Sequence, residues 1–304
     1  MRNIIYIINP VAGTKSKNGL EQLIAQQSKK RGIAFEIFPS VASGDYSFLY
    51  PLVKEKKITD VVIAGGDGTI SQVVSSLMDF DLNFGIIPCG SGNGLAFTAK
   101  IPKQHSKALD IIFDGRASAI DGFAINDQFA CMLCGLGFDA KVAHDFAQQP
   151  KRGLTTYVRQ VAKNFFSAKI YSFELELYNT RMQTDAYFIS ISNSNQFGNN
   201  FTIAPKASLI DGLLDIVIVT NQNKLSLLLQ TFKQISGRNK MMYEENFVQA
   251  SVTGKQKGVI YFQTGKLSIL NRSQAPLHID GDPAETPEKI IIEVKKKCFN
   301  LIQP

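Results

Sequence analysis

The feature that most constrains the fold is a regular alternation of short apolar runs and helix-like segments over the first 125 residues. Apolar runs predict strands at residues 3–8, 35–38, 60–64 and 83–87, and helical patterns lie between them at 18–31, 46–56 and 70–78. Such alternation is typical of a parallel sheet flanked by helices. Polar or glycine-rich segments begin at Asn9, Gly65 and Pro88, each after a strand. Because ligands bind beyond the carboxyl ends of such strands, we expect these segments to line one crevice.

The second of these segments reads Gly-Gly-Asp-Gly-Thr, from Gly65 to Thr69, and directly follows the apolar run 60–64. Glycines allow a tight turn and a close approach of the backbone to a ligand. A carboxylate beside them can hold Mg²⁺, which prefers oxygen ligands and phosphates. Taken alone, the stretch is also consistent with a simple turn and helix cap, so the rest of the chain decides.

The pattern changes after about residue 125. Strands are predicted at Phe129–Cys134, Tyr171–Tyr178, Ala186–Ser192, Leu214–Thr220, Gly258–Thr264, Lys266–Asn271 and Ile290–Lys295, with helices at Gly153–Ser167 and Lys224–Ile235. This favours an antiparallel, sandwich-like second domain. We therefore expect a phosphate-binding α/β domain over residues 1–125 and a β-rich domain over 126–295, with the tail at about 296–304 packing back on the first.

Composition excludes several classes of protein. The chain has 304 residues, 44% apolar residues and a net charge of +7, which suit a globular protein attracted to an anionic partner. The run Ile4–Ile8 is too short for a signal-peptide core, and no stretch reaches the roughly 18 apolar residues of a membrane span. A cytoplasmic protein is expected. Cys131 and Cys134 form a C-x-x-C without a second pair, so buried core thiols are expected, with a redox or metal role as the alternative.

A series of motifs carries a family resemblance. In chain order they are Asn-Pro-Val-Ala-Gly (9–13), Gly-Gly-Asp-Gly-Thr (65–69), Pro-Cys-Gly-Ser-Gly-Asn (88–93), Gly-Leu-Gly-Phe-Asp-Ala (135–140), Ile-Ala-Pro-Lys-Ala-Ser-Leu-Ile-Asp-Gly-Leu-Leu-Asp-Ile (203–216) and Asp-Gly-Asp (280–282). Together they resemble the diacylglycerol kinase catalytic-domain family, which includes bacterial lipid kinases, sphingosine kinases and ceramide kinases. The second motif alone also occurs in phosphofructokinases and NAD kinases, so the ordered series carries the resemblance.

The resemblance implies a kinase that uses ATP and Mg²⁺ to phosphorylate a lipid hydroxyl. Backbone N–H groups in glycine-rich loops cradle phosphates, and a nearby carboxylate holds the Mg²⁺ that bridges them. The nucleotide-binding residues carried over are Asn9, Pro10, Gly13, Ser40, Gly65, Gly66, Asp67, Gly68, Thr69, Ser91, Gly92 and Asn93. Lys15 either supplies positive charge to the phosphates or is a solvated loop lysine.

The late carboxylates carry the acid–base hypothesis. A carboxylate within reach of the lipid hydroxyl can accept its proton as the new P–O bond forms. The family reads Asp-Gly-Glu at this place, whereas this chain ends the motif with Asp282, one methylene shorter. We expect Asp282 to be the base, with Asp280 in support and Asp67 beside the metal. The alternative is an Asp-Gly turn that only links two strands.

Two further sites follow from the resemblance. The segment 208–213 resembles a structural Mg²⁺ loop, with the Asp211 side chain and the carbonyl groups of Ser208 and Leu213 as ligands; the alternative is a strand turn. In the second glycine loop an aspartate of the bacterial enzymes is absent, because Gly94 stands after the asparagine. This favours a sphingoid base, or another lipid with a single hydroxyl, over diacylglycerol, with Asp139 orienting the headgroup; a helix cap is the alternative for Asp139.

Other functions are weighed against these motifs. The sequence 135–140 also fits a dinucleotide fingerprint, but the acidic residue expected about 20 residues later is missing, and no Walker A motif is present. The rivals left open are an NAD kinase and a non-catalytic lipid- or nucleotide-binding module; nucleic-acid binding is disfavoured for want of a basic tail. Expected partners are ATP, a lipid and an anionic membrane surface contacted peripherally, and a homodimer is left open.

Overall fold

The computed structural model describes residues 2–13, 19–149, 154–177, 180–195, 204–220 and 258–304. The predicted helix at 224–235 and Lys15 lie outside these residues.

The first 115 residues form the expected parallel, helix-flanked sheet. Its strands are β1 (Asn3–Ile8), β2 (Ala34–Pro39), β3 (Asp60–Gly65) and β4 (Asn83–Pro88), in the spatial order β4-β3-β1-β2. The helices are α1 (Leu20–Lys30), α2 (Tyr50–Glu55), α3 (Asp67–Leu77), α4 (Gly94–Thr98) and α5 (His105–Asp114), with a 3₁₀ turn at Ser47–Leu49. Buried apolar clusters cover both faces of this sheet, as the continuous apolar strands require.

The rest of the chain is rich in antiparallel strands, again as expected. The strands are β5 (Arg116–Ile125), β6 (Gln128–Ala130), β7 (Leu133–Gly137), β8 (Tyr171–Leu177), β9 (Thr180–Ser192), β10 (Leu214–Thr220), β11 (Val259–Thr264), β12 (Lys266–Leu270), β13 (Leu277–Ile279), β14 (Asp282–Ala284) and β15 (Lys289–Gln303). Two helices, α6 (Phe138–Ala147) and α7 (Leu154–Phe166), lie between β7 and β8.

One long strand joins the two halves. β15 pairs antiparallel with β12 and β5, and its end pairs parallel with β4 through Asn300 and Leu301. The strands of the described residues therefore belong to one hydrogen-bonded sheet, whose main path runs β14-β13-β7-β9-β8-β12-β15-β4-β3-β1-β2. A register shift between Lys295 and Phe299 marks a bulge in β15, which bends a strand.

Some elements differ from the sequence expectations. The run predicted as one strand over Phe129–Cys134 is two strands, β6 and β7, separated at Cys131 and Met132. Strand β5 and helices α4, α5 and α6 were not predicted; in β5 and α4, glycine and small residues obscure the periodicity. Cys131 and Cys134 are fully buried and in no disulfide, and burial raises the pKa of both thiols, so the expectation of core thiols is confirmed.

Candidate active site

The segments that follow β1, β3 and β4 meet at the carboxyl ends of these strands. The Asn9 side-chain amide donates to Thr69 Oγ1 at 2.8 Å, and its oxygen accepts the Val11 N–H at 3.0 Å. The N–H groups of Cys89 and Gly90 both donate to the Gly65 carbonyl, at 2.9 and 3.1 Å. The three loops that sequence analysis expected to share a crevice are thus joined by hydrogen bonds.

Glycines allow these loops to touch backbone to backbone. An added Cβ at Gly90 would lie 2.6 Å from the Gly66 Cα, where no real side chain fits. Gly13 has a φ of +69°, and a Cβ there would lie 2.1 Å from the Cys89 carbonyl oxygen. Side chains at these places would separate the loops, so the glycines are needed for the close approach itself.

The second glycine loop is closed by its asparagine. Asn93 is buried with a left-handed φ of 57°, a conformation that asparagine tolerates well. Its side chain accepts the Gly90 N–H at 2.7 Å and donates to the Gly90 carbonyl at 2.8 Å. Ser91 and Gly92 are half-buried within the loop so formed, and α4 begins directly after it.

Asp67 ties the first glycine loop to the second. It is the first residue of α3, and its two carboxylate oxygens accept the N–H groups of Gly94 and Leu95 at 3.0 and 3.1 Å. Burial, reinforced by the charge of Asp280, raises the pKa of Asp67 to about 6 although those N–H groups oppose the shift. A buried carboxylate beside a second acid favours the binding of a cation. The cation offsets both the cost of burying a negative charge and the repulsion between the two carboxylates.

The acidic motif 280–282 forms the turn of the hairpin between β13 and β14. Asp280 and Gly281 both have positive φ, 49° and 87°, as a two-residue type I′ turn requires of Asp-Gly. The turn expected as the alternative is therefore present, and it is also where the acidic side chains lie.

Asp280 is anchored in the interior. Its carboxylate accepts the N–H groups of Cys131, Met132 and Leu133 at 3.1, 3.0 and 2.8 Å, and the hydroxyl of Ser71 also donates to it. Burial raises its pKa, and these hydrogen bonds oppose that rise. Because Ser71 belongs to α3 of the first half, Asp280 connects the hairpin of the second half to the helix that carries Asp67.

Asp282 has the opposite environment. It is exposed, and its Oδ2 lies so close to Gly68 that a Cβ added there would be 2.1 Å away. The acid at the end of the motif therefore lies directly against the Gly-Gly-Asp-Gly-Thr loop. Asp67, Asp280 and Asp282 share one region of the molecule, which is the arrangement that phosphoryl transfer between the two halves would need.

The remaining predicted nucleotide residues lie around this region. Thr69 is buried, and Pro10 is exposed at the rim of the first loop. Ser40 directly follows β2, where its N–H donates to the Ile8 carbonyl at 2.9 Å. Ser71 was not predicted, although its position one helical turn after Asp67 puts it on the same face of α3.

Asp139, for which sequence analysis left open a headgroup contact or a helix cap, is buried at the start of α6. It is the second residue of α6 and only 7% exposed, and its Oδ1 accepts the Ala140 N–H at 2.8 Å. Its Oδ2 is buried, without a hydrogen-bond partner, and lies 3.5 Å from Nε2 of His278. The carboxylate is thus turned toward a buried histidine of β13.

The metal-binding potential differs between the two predicted sites. Within the described ranges, no group of three or more His, Cys, Asp or Glu residues has metal-binding geometry. Oxygen donors at Asp67 and Asp282 nevertheless fit a Mg²⁺ that is carried by phosphates, since such ions use only one or two carboxylates. In the loop 208–213, exposed Asp211 accepts the Leu213 N–H at 3.0 Å, and Lys296 lies across Gly212. An exposed carboxylate with a neighbouring ammonium is a weak cation site, so the structural Mg²⁺ stays a prediction.

The same loop has a buried anchor that sequence analysis missed. Asp121 is 1% exposed, and its carboxylate accepts the N–H groups of Gly212 and Lys297, both at 2.7 Å. A single aspartate before a glycine gives no sequence signal of this role.

Among the helices of the described residues, none is long and apolar enough to cross a membrane.

Comparisons with known proteins agree with this architecture. The family model "Diacylglycerol kinase catalytic domain" matches residues 3–125, and the model "YegS C-terminal NAD kinase beta sandwich-like domain" matches residues 133–287. The chain is 28% identical to the Probable lipid kinase YegS-like of Enterobacter sp. (strain 638), over 72% of this chain and 76% of the relative. It is 28% identical to the Probable lipid kinase YegS of Escherichia coli O17:K52:H18, over 67% and 71%.

A solved structure shares the fold. The crystal structure of a diacylglycerol kinase from Bacillus anthracis str. Sterne superposes with a TM-score of 0.70 at 16% identity, covering 100% of this chain and 97% of that one. At this identity the likeness shows the fold.

Proposed function

The chain belongs to the lipid kinase family in which a diacylglycerol kinase catalytic domain is followed by a YegS-type C-terminal domain, and from that premise we propose that it transfers the γ-phosphoryl group of ATP to a lipid hydroxyl of diacylglycerol or sphingoid-base type. In this reaction an O–P bond forms at the lipid, the bond to ADP breaks, and the hydroxyl proton passes to a carboxylate. We propose residues 1–125 as the nucleotide domain and 126–295 as the lipid domain.

One observation carries this proposal: the turn 280–282 of the second half contacts α3 and the glycine loop of the first. Asp280 is bonded to Ser71, and Asp282 lies against Gly68. The two elements are separated by about 200 positions in the chain, so their meeting is a property of the fold. It brings an exposed acid to the loop where a nucleotide would leave its γ-phosphate.

The nucleotide is proposed to bind on the joined loops of the first half. The start of α3, at Asp67, presents backbone N–H groups and the positive end of a helix eleven residues long, an arrangement that favours phosphate. Gly66 and Gly90 supply backbone without side chains there. Asn9 and Asn93 hold the flanking loops in place through the hydrogen bonds described above.

Asp282 is proposed as the proton acceptor. Its side chain is one methylene shorter than the glutamate of the family, and a shift of about 1 Å can cost on the order of 10²-fold in rate. The absence of a side chain at Gly68 lets the carboxylate come directly against the loop, which offsets the shorter reach. Asp280 keeps the turn in place and is too deeply buried to exchange protons with a substrate.

Mg²⁺ would be held at Asp67, with Asp282 nearby, and would neutralise phosphate charge during transfer. The raised pKa of Asp67 supports this assignment, because burial and the charge of Asp280 both disfavour the ionised carboxylate, and a bound cation would offset both. We also propose that the protein visits an anionic membrane surface from the cytoplasm to reach its lipid. The net charge of +7 supports docking there, worth up to about 1 kcal/mol per basic residue near the surface.

The test is phosphate transfer from γ-labelled ATP with Mg²⁺ to diacylglycerol, monoacylglycerol, sphingosine, ceramide and NAD. A labelled lipid that migrates as a phosphate ester is the expected product, and its identity gives the substrate class. Asp282→Asn should lower kcat by about 10²-fold or more, whereas Asp127→Asn, an exposed aspartate in the turn between β5 and β6, should not. Labelled NADP would instead support an NAD kinase, and nucleotide binding without transfer to any acceptor would support a non-catalytic module.

A further inference from the structure

A buried histidine next to the acidic turn has contacts that the proposed reaction does not yet use. His278, in β13, is 2% exposed, and its Nδ1 accepts the Gly281 N–H at 3.3 Å. Its Nε2 faces Asp139 Oδ2 at 3.5 Å. The imidazole ring therefore stands between the start of α6 and the central residue of the turn that carries Asp280 and Asp282.

The hydrogen-bond pattern determines how the neutral ring is protonated. Because the Gly281 N–H donates to Nδ1, that nitrogen carries the lone pair, and the ring proton is on Nε2. The N–H at Nε2 then points at Asp139 Oδ2, a buried carboxylate oxygen that has no other hydrogen-bond partner. A small rotation that shortens 3.5 Å to a normal hydrogen bond would satisfy both groups.

The surrounding residues are arranged to accept this pair. His278 lies opposite Gly135 in the pairing of β13 with β7, and a Cβ at Gly135 would lie 2.0 Å from Asp139 Oδ2 and 2.7 Å from His278 Nε2. Only a glycine leaves room for both side chains. Helix α6 contacts the same strand again through His144, whose Nε2 is 2.7 Å from the Leu277 carbonyl oxygen.

We propose that His278 is a positioning residue for Asp282, acting through the Gly281 N–H and held in orientation by Asp139. The turn has two consecutive residues with positive φ, and its central N–H depends on the imidazole as its acceptor within the described contacts. Fixing Gly281 fixes the direction in which Asp282 leaves the turn toward Gly68. This inference rests on the proposed function and gives Asp139 a role in the protein interior instead of a direct contact with the lipid.

Replacements at His278 separate the two contacts. His278→Ala should lower kcat by about 10²-fold and leave the KM for ATP within about twofold, since the contacts described for the ring are with Gly281, Asp139 and Gly135 of the second half. His278→Asn puts an amide oxygen in the place of Nδ1 and should recover most of the loss. His278→Gln puts an amide nitrogen in the place of Nε2, leaves the Gly281 N–H without its acceptor, and should recover less.

A second histidine supplies the matched control. His144→Ala removes a hydrogen bond to the same strand but leaves Gly281 untouched, so its loss of kcat should be at least fivefold smaller than that of His278→Ala at similar thermal stability. An equal loss in both variants, or a His278→Asn protein no better than His278→Ala, would overturn the proposal.

Replacement of Asp139 distinguishes this role from headgroup recognition. Asp139→Ala should lower kcat by the same factor for lipids with and without an amine, whereas a loss confined to amine-bearing lipids would refute the positioning role. Asp139→Asn keeps an oxygen that can accept from Nε2 and should lose less than Asp139→Ala.

A final measurement does not depend on activity. The Gly281 amide should exchange with solvent at least tenfold faster in His278→Ala than in the wild-type protein, and at a near wild-type rate in His278→Asn. If the wild-type protein phosphorylated no lipid, the proposed function would be refuted. The exchange rate would still show whether the hydrogen bond between Gly281 and His278 protects this amide. Unchanged protection of Gly281 in His278→Ala would overturn the inference even in an active enzyme.

Discussion

Gly68→Ala tests the contact on which the proposed catalysis depends. Gly68 is the second residue of α3, and its backbone is ordinary helix that alanine adopts readily. The new Cβ would lie 2.1 Å from Asp282 Oδ2 and 3.1 Å from its Cγ. Real Cβ contacts of this kind are no shorter than about 3 Å, so the Asp282 carboxylate must retreat by roughly 1 Å.

The expected effects of Gly68→Ala on stability and on kcat follow from the displacement of the Asp282 side chain. The clashing atom is the end of an exposed, flexible side chain, and alanine is favoured over glycine in a helix by about 1 kcal/mol. The free energy of unfolding should therefore stay the same or rise. A displacement of about 1 Å in the proton acceptor should lower kcat by on the order of 10²-fold, which corresponds to roughly 2.7 kcal/mol of transition-state stabilisation.

The assay compares lipid phosphorylation rates of Gly68→Ala, Asp282→Asn and the double variant at saturating ATP. If the alanine acts by displacing Asp282, the double variant should be no slower than Asp282→Asn alone, because the two changes remove one interaction. The matched control is Gly265→Ala, where the nearest atom to the new Cβ is 3.5 Å away and φ is unexceptional. Its turnover should equal that of the wild-type protein.

Two results would refute the reasoning. Wild-type turnover in Gly68→Ala would mean that the position of Asp282 against Gly68 is irrelevant to catalysis. A loss of kcat that adds fully to that of Asp282→Asn would mean that Gly68 acts through another group.

Three further perturbations address the loops and the buried acids. Gly13→Ala should raise the KM for ATP by about tenfold or more, measured by initial rates, because its left-handed backbone and a clash with the Cys89 carbonyl both oppose the side chain. Ser71→Ala should lower the free energy of unfolding in urea by about 1–3 kcal/mol, because the buried Asp280 loses its hydroxyl donor. The folded state raises the pKa of Asp67 from 3.8 to about 6 and so binds its proton more tightly than the unfolded state does. The wild-type protein therefore loses stability as pH rises from about 4 to 6. Between pH 4 and pH 7, the unfolding free energy of the wild type should fall by roughly 2–3 kcal/mol relative to that of Asp67→Asn.

Each of these has an outcome that contradicts it. Ser75→Ala, an exposed serine on the same helix, is the control for Ser71→Ala, and equal stability of the two variants would deny the hydroxyl its role. A difference between Asp67→Asn and wild type that is flat with pH would mean that burial does not raise the pKa of Asp67. An unchanged KM in Gly13→Ala would exclude the first loop from nucleotide binding.

Much of the fold was accessible from the sequence. The apolar runs that became β1, β3 and β4 are continuous and short; β3 and β4 end at a glycine and a proline, and an asparagine directly follows β1. Their loops had to lie at one edge of the sheet, because parallel strands put all their carboxyl ends there. The short helix α4 and strand β5 escaped prediction, since Gly94 and the small residues of 116–125 give weak periodicity.

Some features of the candidate site were likewise predictable from the sequence, and others were not. Sequence alone determined which loops carry glycine and acid, since these are local properties of a few adjacent residues. Only the tertiary structure decided that Asp280 is buried and Asp282 exposed, although they stand two positions apart. The reason is that burial and pKa depend on groups brought from elsewhere in the chain: Ser71 and the N–H groups of 131–133 enclose one carboxylate, while Gly68 leaves space for the other. No local pattern encodes such long-range partners, and the pairing of His278 with Asp139 has the same origin.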